Sequence, residues 1–373
     1  MVVLCMVVAS CHRHSNGPPS TTLSGCPGVG YWSNVSTGSG QTFQMAVDIA
    51  SPATGVAAQG CIGCNGLMPL YDPGASAVPD GMGSVSYPGG GGWSGPAFQD
   101  SVNVPGSGMN VALDFVAISS LTISFSSVDC NGNMNPNLYQ GVLGLGPSQT
   151  SGEGPFQFLP LYATATSQSA SFSMQLCDSG GSLWLSNVPA TKTPLQFTPM
   201  VTSNWFAVNL ANVAIGQTTV GSGTETFGAV VLESQSPFST VPQATFNAML
   251  TALQTNSAFN QLGSLNGDWY ANGECQPLTP GLLAQLPTMT LTFPSVSGST
   301  FNVERAAEQS YLFPQSQQGA TVYCPAIIPD SLSSLGASML NGLVVQVDES
   351  GNQVGFTVEA CPGTASGEAT AAM

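Results

Sequence analysis

The sequence predicts an all-β protein with a few short helices, built as two pseudo-symmetric β lobes around a central cleft. Three observations carry that prediction. Gly, Ser, Thr and Pro are abundant and the apolar runs are short and closely spaced, the pattern of many strands joined by tight turns. At 373 residues the chain is long enough for two lobes, each with its own core. One stretch also occurs twice: Phe43 to Pro52 returns as Phe227 to Pro237, each an apolar run ending in acid-x-x-Ser-Pro. An ionised carboxylate is not buried cheaply unless it is paired, hydrogen-bonded or protonated. Asp48 and Glu233 in these repeated contexts therefore imply two halves that bring their acids together.

Residues 1–10 read as a signal peptide and 11–25 as a polar tether. Val2 to Ala9 is apolar but too short to span a bilayer as a helix, which suits a signal h-region. Val8-Ala9-Ser10-Cys11 resembles the lipobox of bacterial lipoproteins, so Cys11 is the expected lipidation site, although no Lys or Arg precedes the apolar run. The expected location is the bacterial cell envelope (outer membrane or periplasm) or the exterior, with membrane contact only through that anchor. Eight cysteines remain beyond the leader: Cys26, Cys61, Cys64, Cys130, Cys177, Cys275, Cys324 and Cys361. An even number in an exported chain points to disulfides, whose connectivity does not follow from spacing.

The N-terminal lobe is expected over 26–195. Tyr31 to Asp48 alternates as a hairpin turning at Gly38-Ser39-Gly40. Pro79 to Gly95 is a glycine-rich hairpin tip that carries Tyr87 and Trp93, and lacks the Lys and following helix of a phosphate loop. Val111 to Val128 supplies strands, Gly141 to Gly146 a short buried strand, and Phe156 to Ala163 a short helix. Phe172 to Leu176 and Ser182 to Leu185 precede a Pro-rich crossing at Pro189 to Pro199. The C-terminal lobe, 196–361, repeats the plan with Trp205 to Ile215 and the Glu233 strand. Ala244 to Leu253, after Pro242, has helical spacing. Leu335-Gly336 echoes Leu143-Gly144, and Val344 to Phe356 forms a hairpin turning at Glu349 to Asn352. Residues 362–373 are a low-complexity tail expected to be disordered.

Composition and elimination narrow the chemistry. Three basic residues stand against 19 acidic ones, a net charge of −16 that offers no footprint for nucleic acid. Charged residues make up 6%, so Ser, Thr, Asn and Gln must wet the surface; such a surface loses little at acid pH and equally suits any extracellular protein. The only histidines, His12 and His14, lie in the tether, which excludes Ser-His-Asp, Cys-His and His-bound metal sites from the body. Cys61-Ile-Gly-Cys64 lacks the βαβ surroundings of a redox pair and the second ligand pair of a zinc site. No cofactor is expected. Any enzyme here would work through carboxylates helped by hydroxyls.

These residues resemble the pepsin-like aspartic peptidases from about Gly30 to Cys361, and that resemblance implies the bilobal acid protease fold. Tyr31 to Gly38 followed by Phe43 to Asp48 is similar to the family's opening hairpin and first catalytic strand. Tyr87 falls on the flap tyrosine, Gly141 to Gly146 on the strand crossing behind the first catalytic loop, and Glu233 on the second catalytic aspartate. Val347-Asp348 to Gly355-Phe356 resembles the closing segment. The resemblance implies disulfides Cys61–Cys64 and Cys275–Cys324; Cys26–Cys361 and Cys130–Cys177 are the expected remainder. It also implies an extended peptide or protein in the cleft of a monomer.

The departures bear on activity. The family's Asp-Thr/Ser-Gly loops share one proton around the attacking water. Here they read Asp48-Ile49-Ala50-Ser51 and Glu233-Ser234-Gln235-Ser236. Both glycines are replaced, Ile49 supplies no hydroxyl to the opposite loop, and Ser234 still can. Glu233 is longer than Asp by one bond, ~1.5 Å, and a shift on the order of 1 Å can cost about a hundredfold in rate. Gln235 is expected to project toward the water's position, and no tryptophan stands near Gly55 to partner Tyr87. Ser51 and Ser236 serve either turn chemistry or substrate binding beside the acids, and Tyr87 is either an exposed loop aromatic or a flap residue. Two readings follow. The leading one is a non-catalytic or weakly active homologue that keeps the peptide cleft, or an inhibitor or adhesion face. The alternative is an acid endopeptidase running on an Asp48/Glu233 dyad.

Overall fold

A computed structural model describes residues 18–87, 91–106, 109–123, 128–147, 157–201, 204–262 and 268–361. The leader with Cys11, the start of the tether and the tail after Cys361 lie outside the described residues. Strands dominate, and each half is organised around the acid-bearing strand foreseen above. In Thr42–Asp48, Phe43, Met45 and Val47 are buried, so the alternation delivers Asp48 at the strand end. That strand runs parallel to Gly141–Gly144, with Val47 opposite Leu143 and Asp48 opposite Gly144. In the second half Val230–Leu232 runs parallel to Ser334–Leu335, with Leu232 opposite Leu335.

The two crossings use the same chemistry, each with a hydroxyl placed six residues after its acid, Thr54 after Asp48 and Ser239 after Glu233. Gly144 N–H donates to Thr54 Oγ1 at 3.2 Å, and Gly336 N–H donates to Ser239 Oγ at 2.9 Å. A Cβ on Gly144 would lie 2.3 Å from the Ala53 carbonyl oxygen, and one on Gly336 would lie 2.2 Å from that of Phe238. Close backbone approach, rather than an unusual φ, is why glycine stands at both positions.

Beneath the crossings a shared sheet joins the halves. Thr21–Cys26 pairs with Gly181–Leu185, which pairs with Ser171–Leu176; that strand pairs with Leu343–Asp348. The closing hairpin continues to Gln353–Val358 and then to Gln196–Val201. Thr21–Cys26 corrects the tether reading, which ran to residue 25. Thr21 and Leu23 are buried on alternate positions and Cys26 is buried at the end, while the first half pairs with Gly181–Leu185 and the second with Gly30–Thr37, so the segment is part of the sheet. One apolar cluster runs from Leu23 to Phe356 through both halves, and a smaller one under the flap holds Val85, Trp93, Val116 and Ile118.

The foreseen helices form as Phe158–Thr166 and as Gln243–Gln254, which starts after Pro242. The glycine-rich hairpin forms from Val78–Ser86 and Gly92–Val104; its tip at 88–90 is outside the described residues. Cys61–Cys64 and Cys275–Cys324 pair as the resemblance implied. The other two pairings are corrected to Cys26–Cys130 and Cys177–Cys361, with Cα–Cα separations of 5.9 and 5.8 Å. Cys177 follows the Ser171–Leu176 strand and Cys361 the closing hairpin, which the shared sheet brings side by side. Spacing along the chain carried no trace of that adjacency.

Gly144→Ala and Gly336→Ala are each expected to lower stability by about 1–3 kcal/mol, because the carbonyls they meet are backbone and must shift. Urea unfolding of the two variants measures it; Gly298→Ala, at a position with open space but φ of +87°, is the comparison for a purely conformational cost.

Candidate active site

The two acid loops meet between the halves. Asp48 and Glu233, both partly buried, line one cavity of about 270 Å³ together with Tyr87, Trp205, Gln235 and Ser236. Each loop is anchored from behind by its crossing strand: Leu145 N–H donates to Asp48 O at 2.8 Å, and Glu233 N–H donates to Leu335 O at 2.9 Å. Ala50 N–H donates to Asp48 Oδ1 at 2.8 Å, so the backbone at that position still supports the carboxylate despite the added methyl group.

Ser234 ties the loops to each other. Its hydroxyl is fully buried, donates to Val47 O at 2.7 Å and accepts from Ile49 N–H at 3.1 Å. Ile49 returns no bond from its side chain. Gln235 adds two more instead: Nε2 donates to Tyr31 O at 2.7 Å and to Val47 O at 2.8 Å. Gly30, at φ of +103°, leaves the space this amide needs, since a Cβ there would lie 2.4 Å from Gln235 Oε1. Gln235 therefore borders the cavity with its amide turned into the opposite half, a correction to the expectation that it projects toward the water.

The remaining sequence candidates separate. Ser51 is buried and its hydroxyl donates to Ala53 O at 3.3 Å; it does not line the cavity, so turn chemistry takes it away from substrate. Ser236 lines the cavity but also donates to the carbonyl two residues on, Phe238 O, at 3.1 Å. Tyr87 reaches the cavity from the hairpin, and Trp93 Nε1 donates to its hydroxyl at 3.2 Å. The missing partner near Gly55 is supplied from the hairpin's second strand. Trp93 is 3% exposed, and its ring lies 3.0 Å from where a Gly55 Cβ would stand.

Sequence reasoning missed Trp205, Leu332 and Asp330. Trp205 and Leu332 line the cavity. Asp330 accepts hydrogen bonds from Leu332 N–H, Ser331 Oγ and Ser331 N–H, which hold its carboxyl below the usual range. Its signal was faint, since Asp330 sits in a loop with no repeated counterpart. The acids act on each other: burial first, then the charges of Asp48 and Asp330, push Glu233 up to about 7. Burial raises Asp48 as well, opposed by hydrogen bonds from the backbone of Ala50 and Ser51.

A parallel-strand crossing in each half, an acid loop on each, and a tyrosine-bearing hairpin over the cavity define an aspartic-peptidase-like site. Comparison with known proteins agrees. Residues 206–358 match the family described as "Xylanase inhibitor C-terminal". The chain is 23% identical to a "Beta-secretase" of Strongylocentrotus purpuratus over 91% of its own length and 68% of that protein. It is 23% identical to an "Aspartic protease" of Phaffia rhodozyma over 74% of its own length and 64% of that protein. The chain thus spans about two thirds of the length of these relatives. The chain is therefore similar to the pepsin-like aspartic peptidases over most of its length.

Ser234→Ala leaves Ile49 N–H buried without its acceptor and is expected to cost about 1–3 kcal/mol. Gln235→Ala removes the amide from Tyr31 O and Val47 O. Val47 O keeps one donor in either single variant and neither in the double, so urea unfolding should show a double-variant loss exceeding the sum.

Proposed function

We propose that this chain binds extended peptides in its interlobe cleft and hydrolyses them slowly, as a weakly active member of its family. The observation that carries the reading is that Asp48 and Glu233 face one cavity while the crossing bonds, the flap and the cross-lobe ties around them are all in place. A scaffold holding two acids and a covering tyrosine suits a peptide laid between the lobes. The longer Glu233 reaches about one bond further into the cavity than aspartate would, which slows chemistry more than binding.

The coupled acids suggest how the residual reaction runs. Below about pH 7 Glu233 holds the proton, because burial and the charges of Asp48 and Asp330 raise it to about 7. Asp48, raised by burial but stabilised by the backbone N–H groups of Ala50 and Ser51, is the partner assigned the base's role. Asp48 would then take a proton from water as it attacks the peptide carbonyl, and Glu233 would donate to the carbonyl oxygen. The same coupling favours a second reading, a competent endopeptidase with this dyad.

A digest of denatured casein between about pH 3 and pH 8, with and without pepstatin, separates them. Expected is slow cleavage that Asp48→Ala abolishes and Glu233→Asp raises by about tenfold or more. Fast cleavage by the unaltered protein would favour the second reading; no binding of casein peptides at any pH would overturn both.

Glu233 also makes stability depend on pH. Its folded value of about 7 lies above its ordinary 4.5, so the folded state holds the proton more tightly and this contribution is lost as pH rises between those values. Melting temperature should fall across that window, and Glu233→Gln should flatten the fall; an unchanged slope would count against a buried, proton-sharing pair.

We further place the protein outside the cytosol. Four disulfides fit an oxidising compartment, and the lipobox-like Cys11 supports a lipid-anchored envelope location within it. Among the described residues no helix is long and apolar enough to cross a membrane. The lobe limits 26–195 and 196–361 are part of the same proposal, with the first lobe beginning at Thr21.

A further inference from the structure

The Cys61–Cys64 bridge takes no part in the acid site, and it differs from the other three disulfides in loop length, access and charge. Its cysteines are 3 residues apart in sequence, against 49, 104 and 184 for the others. A bridge stabilises the fold more as its loop lengthens, and the fold protects the bridge in equal measure. This bond is therefore the one that folding guards least. It also stands in an open loop: Gly60, Ile62, Gly63 and Asn65 are exposed, Ile62 to 76%, with Cys61 half-buried among them and Cys64 only 5% exposed. No Asp, Glu, Lys or Arg occurs between Asp48 and Asp72. Each other bridge has a cysteine directly beside an acid, since Cys130 follows Asp129, Cys177 precedes Asp178 and Cys275 follows Glu274. The species that opens a disulfide is a thiolate, an anion that those carboxylates repel.

The same loop is docked on the flap. Ile62 is in register with Ser120 of Met109–Leu121, and a Cβ on Gly63, at φ of +90°, would lie 2.0 Å from Leu121 O. Leu121 pairs with Trp93, and Trp93 pairs with Val85 on the first strand of the glycine-rich hairpin. Cys64, Val85, Trp93 and Leu121 share one apolar cluster, against which Cys61 and Tyr87 both pack. Trp93 Nε1 then donates to the Tyr87 hydroxyl over the acid cavity. An unbroken row of paired strands and packed side chains thus joins the bridge to Tyr87. Opening the bond frees a loop whose Gly60 and Gly63 both have positive φ, and so loosens the support under Trp93.

We infer that Cys61–Cys64 is a site of thiol–disulfide exchange with dithiols, and that its oxidation state sets how firmly the flap hairpin holds Tyr87 over the acids. A thiolate of the dithiol attacks the accessible Cys61 Sγ, forming a mixed disulfide as the bond to Cys64 breaks. Cys64 leaves with the electron pair and takes a proton from water. The second thiol, on losing its proton, displaces Cys61 in the same way. The dithiol is thereby oxidised by two electrons to a disulfide, and the bridge is reduced to two thiols. No helix starts at Cys61 to favour its thiolate, so the pair acts as a switch rather than as an oxidoreductase catalyst. The switch operates whether or not the cleft hydrolyses peptides.

The test is a titration of the folded, disulfide-intact full chain with dithiothreitol at about pH 8, where the reagent's thiolate is populated. Freed thiols are alkylated and located by peptide mass spectrometry. Cys61 and Cys64 should become alkylated at a dithiothreitol concentration roughly tenfold or more below that which opens any other pair, with cooperative melting retained. Amide hydrogen exchange is then compared between the oxidised protein, the selectively reduced and alkylated protein, and a Cys61→Ser, Cys64→Ser double variant. Exchange over Val78–Ser86 and Gly92–Val104 should quicken roughly tenfold in both altered forms, while Ser171–Leu176 and Leu343–Asp348 stay unchanged. Agreement between the alkylated protein and the double variant excludes an effect of the alkyl groups. Opening of another pair first, or of all four together on unfolding, overturns the exchange site. Selective opening that leaves exchange in the hairpin unchanged in both forms overturns the switch.

Discussion

The site depends on one buried hydroxyl. Ser234 Oγ accepts from one residue of the opposite acid loop and donates to another, and it does so where no water can substitute. Without it, Ile49 N–H would be an orphaned donor in the interior, at a cost of about 1–3 kcal/mol. With it, the backbone on both sides of Asp48 is held by the loop that carries Glu233. The placing of Glu233 beside Asp48, whose charge helps raise it, follows from this tie. Symmetry would place a second hydroxyl at residue 49, where an isoleucine stands instead, fully buried. The missing bonds are made up by Gln235, which reaches Val47 and Tyr31 along a route opened by Gly30.

The flap repeats that logic. Tyr87 receives its hydrogen bond from Trp93 on the hairpin's own second strand, and Gly55 is empty where a partner from the neighbouring strand would stand. In both places a mechanical task is kept while the residue performing it has moved. Loops judged only by their motif letters look more damaged than they are. What the transpositions leave unrepaired is the length of Glu233, and the proposal of slow chemistry in an intact binding cleft turns on that difference.

Electrostatics around the site has one sign. Asp48, Glu233 and Asp330 act together, and the two described cations are elsewhere: Lys192 is exposed, and Arg305 is buried against carbonyls of Gln309 and Asn341. Among the described residues no cation relieves the acids, and Glu233 holds its proton to about pH 7. Burial and repulsion thus turn a simple surplus of acids into a proton-holding Glu233 beside a second buried acid, Asp48.

The all-β class, the two acid strands, the crossing strands with their glycines, the helix after Pro242 and the identity of both acids were legible in the sequence alone. All rest on local signals: alternation, turn residues, and a repeat whose acids would be costly to bury singly. Which cysteines pair was decided only by the shared sheet, which sets the Ser171–Leu176 strand beside the closing hairpin. The strand at Thr21–Cys26 was likewise invisible, because a short polar segment becomes a strand only when an edge such as Gly181–Leu185 is available to it. The directions taken by Gln235 and Trp93 belong to the same class. Their side chains answer to carbonyls, rings and empty glycine positions far away in sequence, and only the folded chain brings those together.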